Sequence, residues 1–126
     1  MSKEKEPSPN EITAEIDITE KDVNTNMRII NSFEETIRTH PKDYNNDEIF
    51  NNEEKIKQCS ITINDKQKKF SYFHTFKKKG KYLMKYKFPN KLDKTLFMFS
   101  ECKQLTSIDL SNFDSSLITD ISYMFY

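Results

Sequence analysis

Between Asp43 and Glu54 the chain sets oxygen-bearing side chains at alternate positions. Asp43, Asn45, Asp47, Ile49, Asn51 and Glu54 fall at places 1, 3, 5, 7, 9 and 12 of a calcium-loop pattern. A hard cation is held by such a run of carboxylate, amide and backbone oxygens closed by a bidentate acid. The pattern fails at its sixth place, where the sharp turn needs glycine and Glu48 stands, and Pro41 interrupts an entering helix. In a stretch this rich in Asp, Asn and Glu the match arises readily by chance, so neither a metal site nor a cofactor is expected.

A second chemistry is electrostatic. Lys66, Lys68, Lys69, Lys77, Lys78, Lys79, Lys81, Lys85 and Lys87 are interleaved with Tyr72, Tyr82 and Tyr86, a mixture that can neutralise phosphates and stack on bases. The formal net charge is zero, but it is unevenly laid down: residues 1–54 carry 14 acids and 6 bases, residues 55–94 carry 2 acids and 13 bases, and residues 95–126 carry 4 acids and 1 base. Alternation along GKYLMKYKF turns Tyr82 and Tyr86 toward a core and away from Lys85 and Lys87. The lysines then read first as the solvated face of a strand, matched by the acidic first half of the chain. Binding of nucleic acid or an anionic membrane through Lys66–Lys87, with Lys77, Lys78, Lys79, Lys81, Lys85 and Lys87 as its patch, is the alternative function.

Catalysis has little to stand on. Gly80 is the single glycine, so no phosphate-cradling loop is encoded, and His40 and His74 have no Ser or Cys at a recognisable catalytic spacing. Cys59 and Cys102 lie 43 positions apart without zinc or redox spacing and read as reduced, buried, inert thiols. No enzyme and no small-molecule substrate are expected. The N-terminal MSKEKEPSPN lacks an apolar signal region, and no window approaches the roughly 18 apolar residues of a membrane span, which makes a cytoplasmic location the default.

The elements that must position these groups follow from periodicity. Ten Phe and six Tyr supply core material for one small domain. After a disordered leader at residues 1–10, a β-rich domain is expected over residues 11–88. Ile12, Ala14, Ile16 and Ile18 alternate with polar residues as a half-buried strand does, and a second strand is expected at Met27–Asn31. Ser32 followed by Glu35 has capping-box spacing and opens a short helix from Phe33 to about Thr39, which Pro41 ends. The polar residues 42–54 read as a loop. Strands are expected at Ser60–Asn64, then through Phe70–Phe73 after a turn at Asn64, Asp65 and Lys66, and again after Gly80, where Tyr82, Met84, Tyr86 and Phe88 share one face. The fold class is mainly β, with α+β as the other option: a small antiparallel sandwich or a β-grasp-like domain.

The last quarter of the chain repeats itself. At a shift of 26 residues Leu92 aligns with Ile118, Thr95 with Ile121, and Phe97, Met98 and Phe99 with Tyr123, Met124 and Phe125. Leu105, Ile108 and Leu110 follow leucine-rich-repeat spacing, with Ser107–Leu110 as the short strand. The stretch MFSECKQLTSIDLSNFDSSLITDISYMF resembles the repeat of the BspA-like leucine-rich-repeat surface proteins. Its landmarks are Phe99 with Cys102, then Leu105, Ile108, Leu110, Asn112, Phe113, Ile118, Thr119, Asp120 and Ile121. Phe113 departs from the general pattern, which has Asn or Cys there, and the segment upstream is similar to the β-rich leader of such proteins.

The resemblance implies a repeat over residues 89–126 with a core of Phe99, Cys102, Leu105, Ile108, Leu110, Phe113, Ile118, Ile121, Met124 and Phe125. It also implies a protein partner bound through outward residues such as Ser107, Asp109 and Ser111, commonly at a cell surface. A single unit buries its apolar face poorly. The expectation is therefore a truncated chain, the cap and first repeat of a larger solenoid, whose last edge invites self-association. An Asp at Leu110 should then unfold residues 92–126 and spare residues 11–88.

Overall fold

The computed structural model describes residues 10–42, 51–89, 92–114 and Met124. The protein is mainly β, built on open antiparallel sheets. Strand β1, Glu11–Ile18, buries Ile12, Ala14, Ile16 and Ile18, as its alternation predicts. Strand β6, Gly80–Lys87, pairs with it antiparallel along its whole length, from Glu11 opposite Lys87 to Ile18 opposite Gly80. Met84, Tyr86 and the following Phe88 are buried, whereas Tyr82 near the start of β6 is half-buried.

Strand β3, Ser60–Ile63, pairs with the other side of β6 and turns back into β4, Lys66–Lys68. Asn64 and Asp65 form the two-residue turn with φ of 50° and 68°, left-handed values that Asn and Asp tolerate well. Asn64 also fastens the turn to β6: its backbone N–H donates to the Leu83 carbonyl at 2.8 Å, and its side-chain oxygen accepts from the Leu83 N–H at 2.8 Å.

Two expected strands move. The second is only Asn26–Arg28, β2, and the one expected to run through Phe70–Phe73 begins at Phe73, as β5, Phe73–Thr75. The two pair with each other as a separate ribbon. Ile29 still follows this register, its N–H donating to the Tyr72 carbonyl at 2.8 Å, and the chain then turns away, with the Asn31 N–H going to the Met98 carbonyl at 2.7 Å.

Helix α1, Phe33–Thr39, starts where the sequence says it should, with the Ser32 hydroxyl accepting the Glu35 N–H at 3.0 Å. A one-turn helix α2, Glu53–Ile56, overlaps the last two residues of the stretch read as a loop and runs past it to a buried Ile56. Residues 43–50 of that stretch lie outside the described residues.

The leucine-rich segment supplies β7, Leu105–Asp109, two residues earlier than expected. It pairs antiparallel with β1 and completes a five-stranded sheet in the order β4-β3-β6-β1-β7. Residues on both sides of position 89 thus share one sheet. They also share one core: Met98, Phe99, Cys102, Phe113 and Met124 belong to the same buried cluster as Ile12, Ile16, Ile61, Met84 and Tyr86. The cluster lies between the inner face of the sheet and a cover that includes Ile29, Ile30, Ile56 and Phe76.

Candidate interaction surfaces

Turns after Leu92 bring the first aromatic triplet into the core. Backbone bonds from Met98 to Thr95, Ser100 to Phe97 and Cys102 to Phe99 wind the segment tightly, and Phe97 and Glu101 take φ of 63° and 65° to do so. The Phe99 N–H donates to the carbonyl of Met124 at 2.8 Å. Met124 is the residue that the 26-residue shift aligns with Met98, and both are fully buried. The repeat seen in the sequence is therefore a contact in space at this point.

Of the expected repeat core, Phe99, Cys102, Phe113 and Met124 are buried, and Leu105, Ile108 and Leu110 pack half-buried at the rim of the cluster. Ile118, Ile121 and Phe125 lie outside the described residues. Ser107, Asp109 and Ser111, the expected interaction face, are all exposed. Ser107 stands opposite Glu15 and Asp109 opposite Thr13 on the outer side of the sheet. Hydrogen bonds from the Ser111 backbone N–H, at 2.9 Å, and from its side chain hold Asp109 below the usual carboxylate range.

The two edges of the sheet are unlike. β4 is three residues long and carries Lys66 and Lys68, which blunts it against further pairing. β7 is longer, bulged opposite Glu15 and Ile16, and has no strand on its far side among the described residues. An open groove of about 540 Å³ follows it, lined by Phe99, Glu101, Cys102, Lys103 and the strand residues Leu105 to Ile108.

Two buried asparagines lock the entry of α1 to these turns. The Asn31 amide donates to the Ser100 carbonyl at 3.0 Å while its oxygen accepts the Ser32 N–H at 2.8 Å. The Asn52 amide donates to the Leu96 carbonyl at 3.0 Å and its oxygen accepts the Phe33 N–H at 2.9 Å. Ring stacking of Phe33 on Phe97, with centroids 6.1 Å apart, closes the same seam. Nothing in a chain so full of Asn marks these two.

The two arginines do carry a signal: 18 of the 20 basic residues are Lys, and both exceptions enter one network. Arg28 lies over the Phe73 ring at 4.3 Å and bridges to Glu35 at 3.1 Å. Glu35 also holds Arg38, which reaches Glu53, and Glu53 accepts the Tyr72 hydroxyl at 2.7 Å. Burial pushes the Glu53 carboxyl up, but the hydrogen bonds from Arg38 and Tyr72 and the Arg38 charge outweigh it, leaving the group below its ordinary value. A planar guanidinium suits such shared, partly buried carboxylates better than an ammonium.

Register settles part of the basic segment: Lys81 stands opposite Asp17 and Lys87 opposite Glu11, and Lys85 lies 3.6 Å from Asp65. Lys77, Lys78 and Lys79 are exposed in the loop before β6. In the calcium-loop pattern Asp43, Asn45, Asp47 and Ile49 lie outside the described residues, while Asn51 is exposed and Glu54 lies within α2. Among the described residues no group of three His, Cys, Asp or Glu could hold a metal ion. His40 contacts Thr39, and His74 lies half-buried, edge-on to Phe76 at 4.7 Å.

Cys59 and Cys102 are free and buried. Burial pushes each thiol up to about 12. Against the ordinary value of 9.0 that lowers the thiolate fraction near pH 8 about a thousandfold, so a thiol reagent should label the unfolded chain and leave the folded one nearly untouched over the same minutes. Fast labelling of either cysteine in the folded protein would show that its cover opens readily.

Compared with known proteins, the chain matches no family model, no curated protein and no solved structure.

Proposed function

We propose that the chain is a non-enzymatic protein-interaction module, in which the β-rich part caps a leucine-rich solenoid of the BspA-like kind and residues 92–126 are its first turn. The observation that carries this reading is the Phe99 N–H bond to the Met124 carbonyl, because stacked repeats join equivalent positions of successive turns and these residues lie one 26-residue shift apart, offset by one. The side of β7 that pairs with no strand among the described residues, and the groove beside it, would receive the strand and apolar residues of a next turn, or a second copy of the chain. The exposed Ser107, Asp109 and Ser111 would then contribute to a continuous recognition surface for a protein partner.

The reading is tested by lengthening the repeat. Appending a second copy of residues 101–126 after Tyr126 keeps the period, and the added turn should pair with β7. In urea unfolding the longer protein is expected to show a higher midpoint and a slope steeper by about a fifth, since the slope grows with the surface exposed on unfolding. An appended segment that proteases trim back without any change in midpoint would overturn the solenoid reading.

A further inference from the structure

The lysines left over by the sheet register gather around a row of aromatic rings. Lys66, Lys69, Lys77, Lys78 and Lys79 are exposed, and among the described residues none of them forms an ion pair. Only two acids lie in residues 55–94, and both are engaged elsewhere, Asp65 with Lys85 and Asp93 with Lys55 at 2.8 Å.

Side chains tie the Lys77–Lys79 loop to a row of rings that begins at His74, near Lys68. Burial, then the nearby Lys68 charge, keeps His74 below its ordinary value, so its ring is uncharged at neutral pH. His74 packs on Phe76, Phe76 packs on Tyr82 with centroids 4.6 Å apart, and the Tyr82 hydroxyl donates to the Lys78 carbonyl. Phe76 is buried, but His74 and Tyr82 are half-exposed. Tyr82 therefore does not turn fully into the core as alternation predicts: it fastens the lysine loop to the aromatic row. Flat rings with polar edges set among cations suit base stacking. A membrane surface would call for bulky apolar side chains projecting among the lysines, and here Phe76 is inside, while the half-buried Phe70 packs against the core, edge-on to Tyr72 at 5.3 Å.

We propose that this end of the molecule binds single-stranded nucleic acid, with phosphates on Lys66, Lys69 and the Lys77–Lys79 loop and bases on His74 and Tyr82. The activity is separate from the solenoid reading, since β7 lies at the opposite edge of the sheet from β4.

Fluorescence anisotropy of a labelled 20-nucleotide oligothymidylate with the full chain tests it. Five phosphate contacts on a single strand give a log–log salt slope of about −3.5, so raising salt from 50 to 200 mM should weaken binding about a hundredfold. Replacing Lys77, Lys78 and Lys79 together by alanine should flatten the slope to about −1.4 with the thermal midpoint unchanged, because all three are exposed loop residues. His74→Ala should weaken binding about fivefold or more at an unaltered slope. No binding at 50 mM salt, an unaltered slope in the triple variant, or an unaltered affinity in His74→Ala would overturn the proposal. So would binding confined to phosphatidylserine vesicles, which would assign the patch to a membrane surface.

Discussion

Replacing Asn31 by alanine is expected to lower stability by about 2–5 kcal/mol, a large share of what a domain of this size possesses. Asn31 is 1% exposed and its side chain has two partners, the distant Ser100 carbonyl and the N–H of the adjacent Ser32. Alanine leaves the Ser32 N–H with no side-chain partner and the Ser100 carbonyl with only the long contact from the Cys102 thiol at 3.7 Å, and an orphaned buried group costs about 1–3 kcal/mol. The loss reaches further than two bonds, because the neighbouring Asn31 N–H to Met98 bond joins the entry of α1 to the turns that precede β7. Urea midpoints of wild type and Asn31→Ala measure the effect. Asn31→Asp separates the contributions: it retains the acceptor for Ser32 but sets a carboxylate against the Ser100 carbonyl, so it should be at least as damaging. A fall below about 0.5 kcal/mol for both variants would mean that water replaces the amide and that the seam is looser than its geometry indicates.

Local rules explain which parts of this architecture the sequence displays. β1, β6, the Asn64–Asp65 turn and the cap of α1 each follow from residues within one short window, whose pattern or side-chain chemistry fixes the backbone. The displaced elements follow from partners far along the chain. Phe70–Tyr72 has strand composition, but the chain it would pair with turns away beyond Ile29, where the Asn31 N–H goes to the Met98 carbonyl, so the ribbon ends there. Likewise β7 begins at Leu105 because its register is set by β1, where Ile16 faces Leu105 across a bulge. No window around residue 105 contains that information.

The candidate surfaces divide the same way. Exposure of Ser107, Asp109 and Ser111 is legible because polar residues alternate with leucine and isoleucine there. The lysine loop is legible as a charge run, but the half-exposed Tyr82 is not, because it depends on Phe76 occupying the space beneath it. Arg28 and Arg38 stood out only by contrast with 18 lysines, and their carboxylate partners could not be named from composition. Asn31 and Asn52 are identical in type to many exposed asparagines, and only tertiary contact distinguishes them.

Phe99→Ala should cost about 3–5 kcal/mol and should be felt on both sides of position 89 at once. Phe99 is 4% exposed and meets the Tyr86 ring edge-on at 5.2 Å. Tyr86 is itself fully buried, with its hydroxyl donating to the Ile29 carbonyl at 2.6 Å, so the ring removed from the repeat segment supports the centre of β6 and the strand exit before α1. Leu110 is only half-buried at the rim, and an Asp there can turn toward water, whereas Phe99, although it borders the groove, is buried with its ring against Tyr86. Hydrogen exchange at β1 amides facing β6 and at β7 amides provides two probes of one variant. If the shared core makes the protein a single cooperative unit, both sets lose protection by the same amount. Loss confined to β7, with β1 and β6 amides protected as in the wild type, would show instead that residues 92–114 dock onto an independently stable sheet, and the Tyr86–Phe99 contact would then be an interface between two folding units.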